Sequence, residues 1–176
     1  MARWIATCLA IFAVSISLAQ VTDGKTAQLS SKLLARIKKS KYRVLVPTYL
    51  PAGFRIKTAD LAIDKSPDLT NWYLSYENPK TKAMITVQMA SEGLGDPMFD
   101  LPNGDVADPT GSIWAKNPIL GKVNIEYLVK GPIRMSQCTW YDASKTTYPR
   151  VAMIFAHNVD VKVTKKVLES LRWLKV

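Results

Sequence analysis

The stretch VPTYLPAGF, residues 46–54, divides a basic helical pattern from a run of strand patterns. Its two prolines fix their own φ angles and push the residues before them into extended conformations. The chain is therefore not expected to be helical between about residues 45 and 50. Residues 51–53 are expected to form a turn, with Pro51 at its second position and Gly53 able to adopt a positive φ. The apolar side chains around this turn are expected to close one end of a hydrophobic core.

Residues 26–40, which precede this stretch, show the periodicity of an amphipathic helix. Their leucines and isoleucine recur at helical spacing on one side. Two interpretations stay open for the basic side: a solvated lysine face, or a face that also touches membrane headgroups or an acidic polymer. The candidate contacts with an anionic surface are Lys32, Arg36, Lys38 and Lys39.

Charge is concentrated near this helix. The chain carries a net charge of +10. Residues 24–59 hold nine Lys or Arg side chains and no Asp or Glu. Any function that depends on positive charge is therefore expected to lie at this end of the molecule.

From residue 54 onward the apolar pattern changes to a period of two, which is typical of strands that have one buried face. A turn is expected at residues 64–68, a polar loop at 143–147, and a closing helix that Thr164, Asn158 or Asp160 could cap. The predicted fold is α+β, with a single antiparallel sheet of about seven strands flanked by an N-terminal and a C-terminal helix. The predicted strands are residues 54–58, 72–76, 83–89, 112–116, 122–130, 133–141 and 150–157.

An acidic segment interrupts the strands at residues 92–111. It is rich in glycine and proline, and no Lys or Arg lies between Lys82 and Lys116. Asp100 and Asp105 superficially resemble a calcium loop, but the alternating oxygen ligands and the final glutamate are missing, so no metal site is expected. The apolar side chains of the segment predict a flap that packs down: Leu94, Met98, Phe99 and Leu101.

A helix that covers a curved sheet can enclose an apolar concavity, and this sequence offers large side chains to line one. A pocket for a small ligand or a lipid tail is therefore a hypothesis. The candidate lining residues are Tyr49, Phe54, Trp72, Met89 and Trp140.

Residues for catalysis are scarce. His157 is the one histidine, Cys138 is the one cysteine after residue 19, and no Gly-x-Ser-x-Gly motif is present. The chain also lacks a phosphate-binding glycine loop and a His/Cys cluster for zinc. We therefore expect no enzyme activity, no cofactor and no metal. A hydrolase that uses Asp100 and Asp105 is the residual catalytic hypothesis.

The octet PTYLPAGF, residues 47–54, resembles the signature Pro-x-Tyr-Leu-Pro-x-Gly-aromatic of a bacterial extracytoplasmic domain of unknown function. That domain occurs in the outer regions of anti-sigma factors and near modules similar to lipoprotein-sorting carriers. Trp140 and VLESL at residues 167–171 lie where its tryptophan strand and short closing helix would fall. The resemblance covers about residues 43–173. It implies a fold and a compartment, and it transfers no catalytic residue.

The first nineteen residues have the pattern of a signal peptide. Arg3 precedes an uncharged apolar run, and small residues before Gln20 favour cleavage after Ala19. An uncleaved membrane anchor is the alternative. The expected organisation is a signal peptide at 1–19, a basic amphipathic helix at 20–42, and an antiparallel sheet domain with its closing helix at 43–176. The expected location is periplasmic or secreted.

These observations predict an exported, non-catalytic envelope module that binds or senses a partner or ligand. The alternative is a periplasmic carrier of an apolar ligand, such as a lipid or a lipoprotein acyl chain. The expected partners are an envelope protein, an apolar ligand or an anionic membrane surface. Nucleic acid would suit the charge but not the export signal, so it is not expected.

Overall fold

The structure is a computed structural model that describes residues 21–40, 42–62, 70–91, 94, 98–142 and 149–176. The predicted signal peptide, the turn at 64–68 and the polar loop at 143–147 lie outside the described residues. So do several positions at the start of the acidic segment.

Two α-helices and twelve strands make up the described part of the chain. The helices are α1 (Ser31–Ser40) and α2 (Val161–Glu169), and one turn of 3-10 helix covers Lys25–Ala27. The strands are β1 (Val21–Thr22), β2 (Leu45–Pro47), β3 (Arg55–Ala62), β4 (Asn71–Asn78), β5 (Ala83–Ala90), β6 (Phe99–Asp100), β7 (Val106–Ala107), β8 (Gly111–Asn117), β9 (Gly121–Lys130), β10 (Ile133–Tyr141), β11 (Val151–His157) and β12 (Leu171–Leu174).

Seven of these strands form one antiparallel sheet in the order β3-β4-β5-β11-β10-β9-β8. Two meanders, β3 to β5 and β8 to β11, meet where β11 pairs with β5. The α+β class and the sheet of about seven antiparallel strands are thereby confirmed. β11 carries apolar residues on both faces because a hydrophobic cluster covers each one: Ile154 belongs to one cluster and Phe155 packs against the other.

The prediction of a single sheet is wrong, because the described residues also form a two-stranded sheet of β6 and β7 and a three-stranded sheet in the order β1-β12-β2. In it, β12 runs antiparallel to β2 and parallel to β1. The extended conformation predicted around Pro47 is confirmed, because β2 ends at that residue. Trp173 and Leu174, which follow the closing helix, belong to β12.

The main core lies on one face of the large sheet. The strand register aligns Leu74, Val87, Ile154 and Cys138 in one row across four strands, and each is at least 96% buried. The hydrophobic cluster that contains this row also includes Leu168 from α2. The apolar side of that helix therefore contributes to the main core. A buried side chain of this size contributes about 1.5–3 kcal/mol.

A smaller cluster occupies the opposite face, and part of the acidic segment supplies it. Phe99 and Leu101 pack there with Leu128 and Met135. The flap predicted for this segment is confirmed for Phe99 and Leu101, whereas Met98 remains 55% exposed.

The first helix starts later than predicted. Residues 25–27 form a 3-10 turn and Gln28 adopts a left-handed φ of 58°, so the regular helix begins only at Ser31. The strand that follows also departs from simple alternation. A bulge between Ile56 and Thr58 shifts the register, so these two residues do not share a face as the predicted period of two would require.

The proline–glycine turn lies one residue further along than the sequence suggested. The Phe54 amide donates to the Pro51 carbonyl at 3.3 Å, which makes Ala52 and Gly53 the central residues. Gly53 has a φ of +83°, the conformation that favours glycine in a type II turn.

The closing helix begins after Asp160, whose carboxylate accepts from the Lys162 amide and so serves as the N-cap.

Candidate functional site: a basic surface on the first helix

Helix α1 is amphipathic in its contacts as well as in its sequence. Ile37 is 1% exposed and belongs to the main core, and Leu33 and Leu34 pack against that cluster. Ser30 caps the start of the helix, because its hydroxyl accepts from the Leu33 amide at 3.3 Å. The charged side of the helix consequently faces solvent.

All four cations predicted to touch an anionic surface lie on this exposed side. Arg36 forms an ion pair with Asp60, with 2.8 Å between Nη1 and Oδ1. Both partners are about half exposed, so the pair contributes at most about 1 kcal/mol. Among the described residues, Lys32, Lys38 and Lys39 have no carboxylate within salt-bridge distance.

The last residues of the chain add a further cation beside α1. A depression of about 240 Å³ is lined by the charged residues Lys38, Lys175 and Asp23 and by apolar residues that include Leu34 and Val176. The Lys175 amide donates to the Thr22 carbonyl at 2.7 Å, which fixes this segment against β1. We call the exposed cations Lys32, Arg36, Lys38, Lys39 and Lys175 the basic surface.

Sequence reasoning missed Lys175. The signal that would have identified it is the pairing of β12 with both β1 and β2, which carries the chain end back to the first helix. Short strands of two to four residues have no clear periodicity, so this pairing could not be read from the pattern.

The proposed pocket-lining residues do not all come together. Trp72 and Met89 are register partners and are fully buried. The Trp72 indole donates to the Leu45 carbonyl, and the Leu45 amide lies 3.0 Å from the Met89 sulfur. Tyr49 is 39% exposed, while Phe54 is half-buried.

Trp140, the fifth proposed lining residue, borders a separate apolar cavity. That cavity also contacts Cys138 and Leu168 and has a volume of about 10 Å³. This volume corresponds to about one water molecule. A role for these five aromatic and methionine side chains in ligand binding stays a prediction.

The residues weighed for catalysis are scattered. Burial raises the pKa of the Cys138 thiol to about 12, with a smaller contribution from the negative charge of Glu126. His157 is half-buried at the end of β11. Asp100 and Asp105 are exposed, and the Asp105 carboxylate accepts a hydrogen bond from the Asn103 amide at 2.6 Å. No group of three or more potential metal ligands occurs in the described ranges.

A polar depression of about 220 Å³ lies on the strand face opposite the main core. It is lined by Asn124, Glu126, Gln137 and Thr139. The Gln137 side chain donates to the Glu126 carboxylate at 3.4 Å. The Asn124 Oδ1 atom is buried and accepts no hydrogen bond from the described residues. This feature was missed because alternation predicts which residues face outward, but not which strands lie side by side.

Neither described helix has the length and apolar character needed to cross a membrane. The chain matches no family model, and no curated protein or solved structure shows significant similarity to it.

Proposed function

We propose that this protein is an exported, non-catalytic module of the bacterial cell envelope that binds a partner, and that the basic surface is its contact with an anionic membrane. In this proposal α1 and α2 flank the seven-stranded sheet, so that α1 is anchored by its apolar side and presents its cations outward. The observation that carries the proposal is the lack of carboxylate partners for Lys32, Lys38 and Lys39 among the described residues.

The chemistry of the basic surface favours a membrane over a purely polar polymer. Lys38 and Lys175 stand beside the apolar side chains of Leu34 and Val176 in one depression. A membrane interface offers both anionic headgroups and apolar surface, and amphipathic helices bind it through the two together. Each lysine near an anionic leaflet contributes about 1 kcal/mol, so we expect reversible, salt-sensitive binding.

The alternative function, a carrier of an apolar ligand, is less well supported. The cavity between the sheet and Leu168 of α2 holds only about 10 Å³, so a lipid tail would require α2 to move. Native mass spectrometry of the purified protein distinguishes the two functions. A carrier should retain lipid, whereas a surface-binding module should give the mass of the chain alone.

Vesicle co-sedimentation tests the membrane contact. The informative variant is Lys32→Gln/Lys38→Gln/Lys39→Gln. The matched control is Lys130→Gln/Lys162→Gln/Lys166→Gln, which removes the same charge from exposed lysines elsewhere. The first variant should lose about 3 kcal/mol, or roughly a hundredfold in affinity for vesicles that contain phosphatidylglycerol. The control should lose much less.

Three outcomes would contradict the membrane contact. One is equal loss of binding in both variants, and another is binding that persists in about 0.5 M salt, where surface charges are strongly screened. The third is tight binding to soluble polyphosphate but not to vesicles, which would assign the basic surface to an acidic polymer.

A further inference from the structure

The two edges of the seven-stranded sheet differ in how their main-chain groups are used. At the β3 edge, the side-chain amide of Gln28 accepts from the Ile56 N–H at 3.0 Å and donates to the Phe54 carbonyl at 3.2 Å. The bulge between Ile56 and Thr58 further disturbs this edge. Capping groups and bulges are devices that prevent another strand from pairing with an edge.

The β8 edge has less protection. The Lys116 N–H lies 3.3 Å from Glu169 Oε1 in α2, so this amide points away from β9. Main-chain groups of alternate residues in an antiparallel strand point to the same side. The N–H and C=O groups of Ser112 and Trp114 therefore also point off the edge. No hydrogen bond from any described residue reaches them.

The side chains along this edge combine an exposed aromatic ring with positive charge. Trp114 is 56% exposed, and Lys122 Nζ lies 4.3 Å from its ring centroid. Lys116 and Lys122 are register partners in adjacent strands. No described carboxylate lies within salt-bridge distance of either lysine. A strand laid beside β8 would meet these two charges on one face.

The opposite face of the same edge is apolar. Ile113 is half-buried and packs against the main core. Successive side chains of a strand point to opposite faces of the sheet. A neighbouring strand would thus place apolar residues beside Ile113 and acidic residues beside Trp114 and Lys116.

From this combination we propose that β8 binds an extended segment of a partner protein by strand addition, and that the segment alternates apolar and acidic residues. Main-chain hydrogen bonds to Ser112 and Trp114 supply the pairing, and Lys116 and Lys122 select the acidic face. A second copy of this chain suits the edge less well, because pairing two β8 strands would gather four lysines along one seam. The site lies at the edge opposite β3 and is distinct from the basic surface.

Two blocked heptapeptides test the proposal, one alternating valine with glutamate and the other alternating valine with lysine. At millimolar concentration, the glutamate peptide should slow hydrogen exchange of the Ser112 and Trp114 amides by roughly tenfold. The lysine peptide should not. In the variant Lys116→Glu/Lys122→Glu the preference between the peptides should reverse.

A second variant addresses the main-chain contacts directly. Ser112→Pro removes an N–H that the sheet itself does not use, so the fold should persist while peptide binding is lost. If this variant does not fold, the variant Lys116→Glu/Lys122→Glu still tests the proposal on its own. Exchange that neither peptide slows, or that both slow equally in every variant, would overturn the proposal. Edge amides that are protected without peptide in a protein of dimeric mass would also overturn it and assign the edge to self-association.

Discussion

The indole nitrogen of Trp72 donates a hydrogen bond of 3.0 Å to the carbonyl oxygen of Leu45, and both residues are buried. This bond connects β4 of the large sheet to β2 of the small sheet. The amide of Leu45 is directed to the sulfur of Met89 at 3.0 Å. Both polar main-chain groups of Leu45 therefore find partners on the large sheet, and the two sheets are joined by polar contacts as well as by packing.

Trp72→Phe should accordingly destabilise the protein by about 2–4 kcal/mol. The change removes ring volume and leaves the Leu45 carbonyl buried without its partner, and both effects are costly. Urea unfolding at neutral pH measures the loss. Trp114→Phe is the matched control, because that ring is 56% exposed and should change stability by under about 0.5 kcal/mol. Equal losses in the two variants would refute the role given to the buried bond.

Asn117 connects the β8–β9 turn to the end of α2. Its amide nitrogen donates to the carbonyls of Leu168 at 2.7 Å and Leu171 at 3.1 Å. Its oxygen accepts from the amides of Ile119 at 2.8 Å and Leu120 at 3.1 Å. Asn117→Ala should cost about 3 kcal/mol, because the buried main-chain groups lose their partners together.

The natural control for this variant is Asn124→Ala. Asn117 is fully buried and Asn124 is half-buried, but the Asn124 side-chain oxygen accepts no hydrogen bond within the described ranges. Its removal should cost at most about 1 kcal/mol, since fewer interactions are lost. Thermal or urea unfolding of the two variants measures their losses of stability. Similar losses would show that Asn117 is only a turn residue.

Asn117 also illustrates the limit of prediction from sequence. The alternation of Val123 and Ile125 predicts strand β9, because period two is a local property of the chain. In contrast, the two carbonyls that accept from the Asn117 side-chain nitrogen lie about fifty positions away, and an asparagine before Pro118 simply suggests a turn. The order of the strands, which places β11 beside β5, is likewise set by long-range packing.

The candidate site was predictable to a similar extent. Lys38 and its neighbours follow from helical periodicity, whereas Lys175 joins them only through the short strand β12. The left-handed conformation of Gln28 also escaped prediction, since glutamine usually favours helix. Tertiary hydrogen bonds to its side chain outweigh that local preference.

Stability should fall as the pH rises above about 9. Burial raises the pKa of the Cys138 thiol to about 12, from a usual value near 9. Between these values the unfolded chain releases the proton and the folded chain keeps it, so ionisation favours unfolding by up to about 1.4 kcal/mol per pH unit. Burial also raises the pKa of Tyr76, whose hydroxyl donates to the Ala27 carbonyl at 3.0 Å, and this adds to the loss above pH 10.

Urea unfolding from pH 7 to 11 measures this dependence. Cys138→Ala should flatten the decline between pH 9 and 10, where the thiol is the main contributor. In native protein at pH 9, a thiol reagent should label Cys138 far more slowly than it does in denaturant, because thiolate is the reactive form. Rapid labelling of the folded protein, or stability that does not change up to pH 11, would contradict the predicted effect of burial.

Gln28 closes the β3 edge, and its removal should open that edge without unfolding the sheet. Its side chain accepts from the Ile56 N–H and donates to the Phe54 carbonyl. Gln28→Ala should therefore accelerate hydrogen exchange of the Ile56 amide by roughly tenfold and lower stability by about 1 kcal/mol. Gln28→Gly distinguishes the effect of the lost side chain from the effect of backbone conformation, because glycine adopts the observed φ of 58° more easily than alanine does. It should recover part of the stability and keep the fast exchange. If glycine instead restored slow exchange at Ile56, backbone conformation rather than the side-chain amide would be what protects this edge.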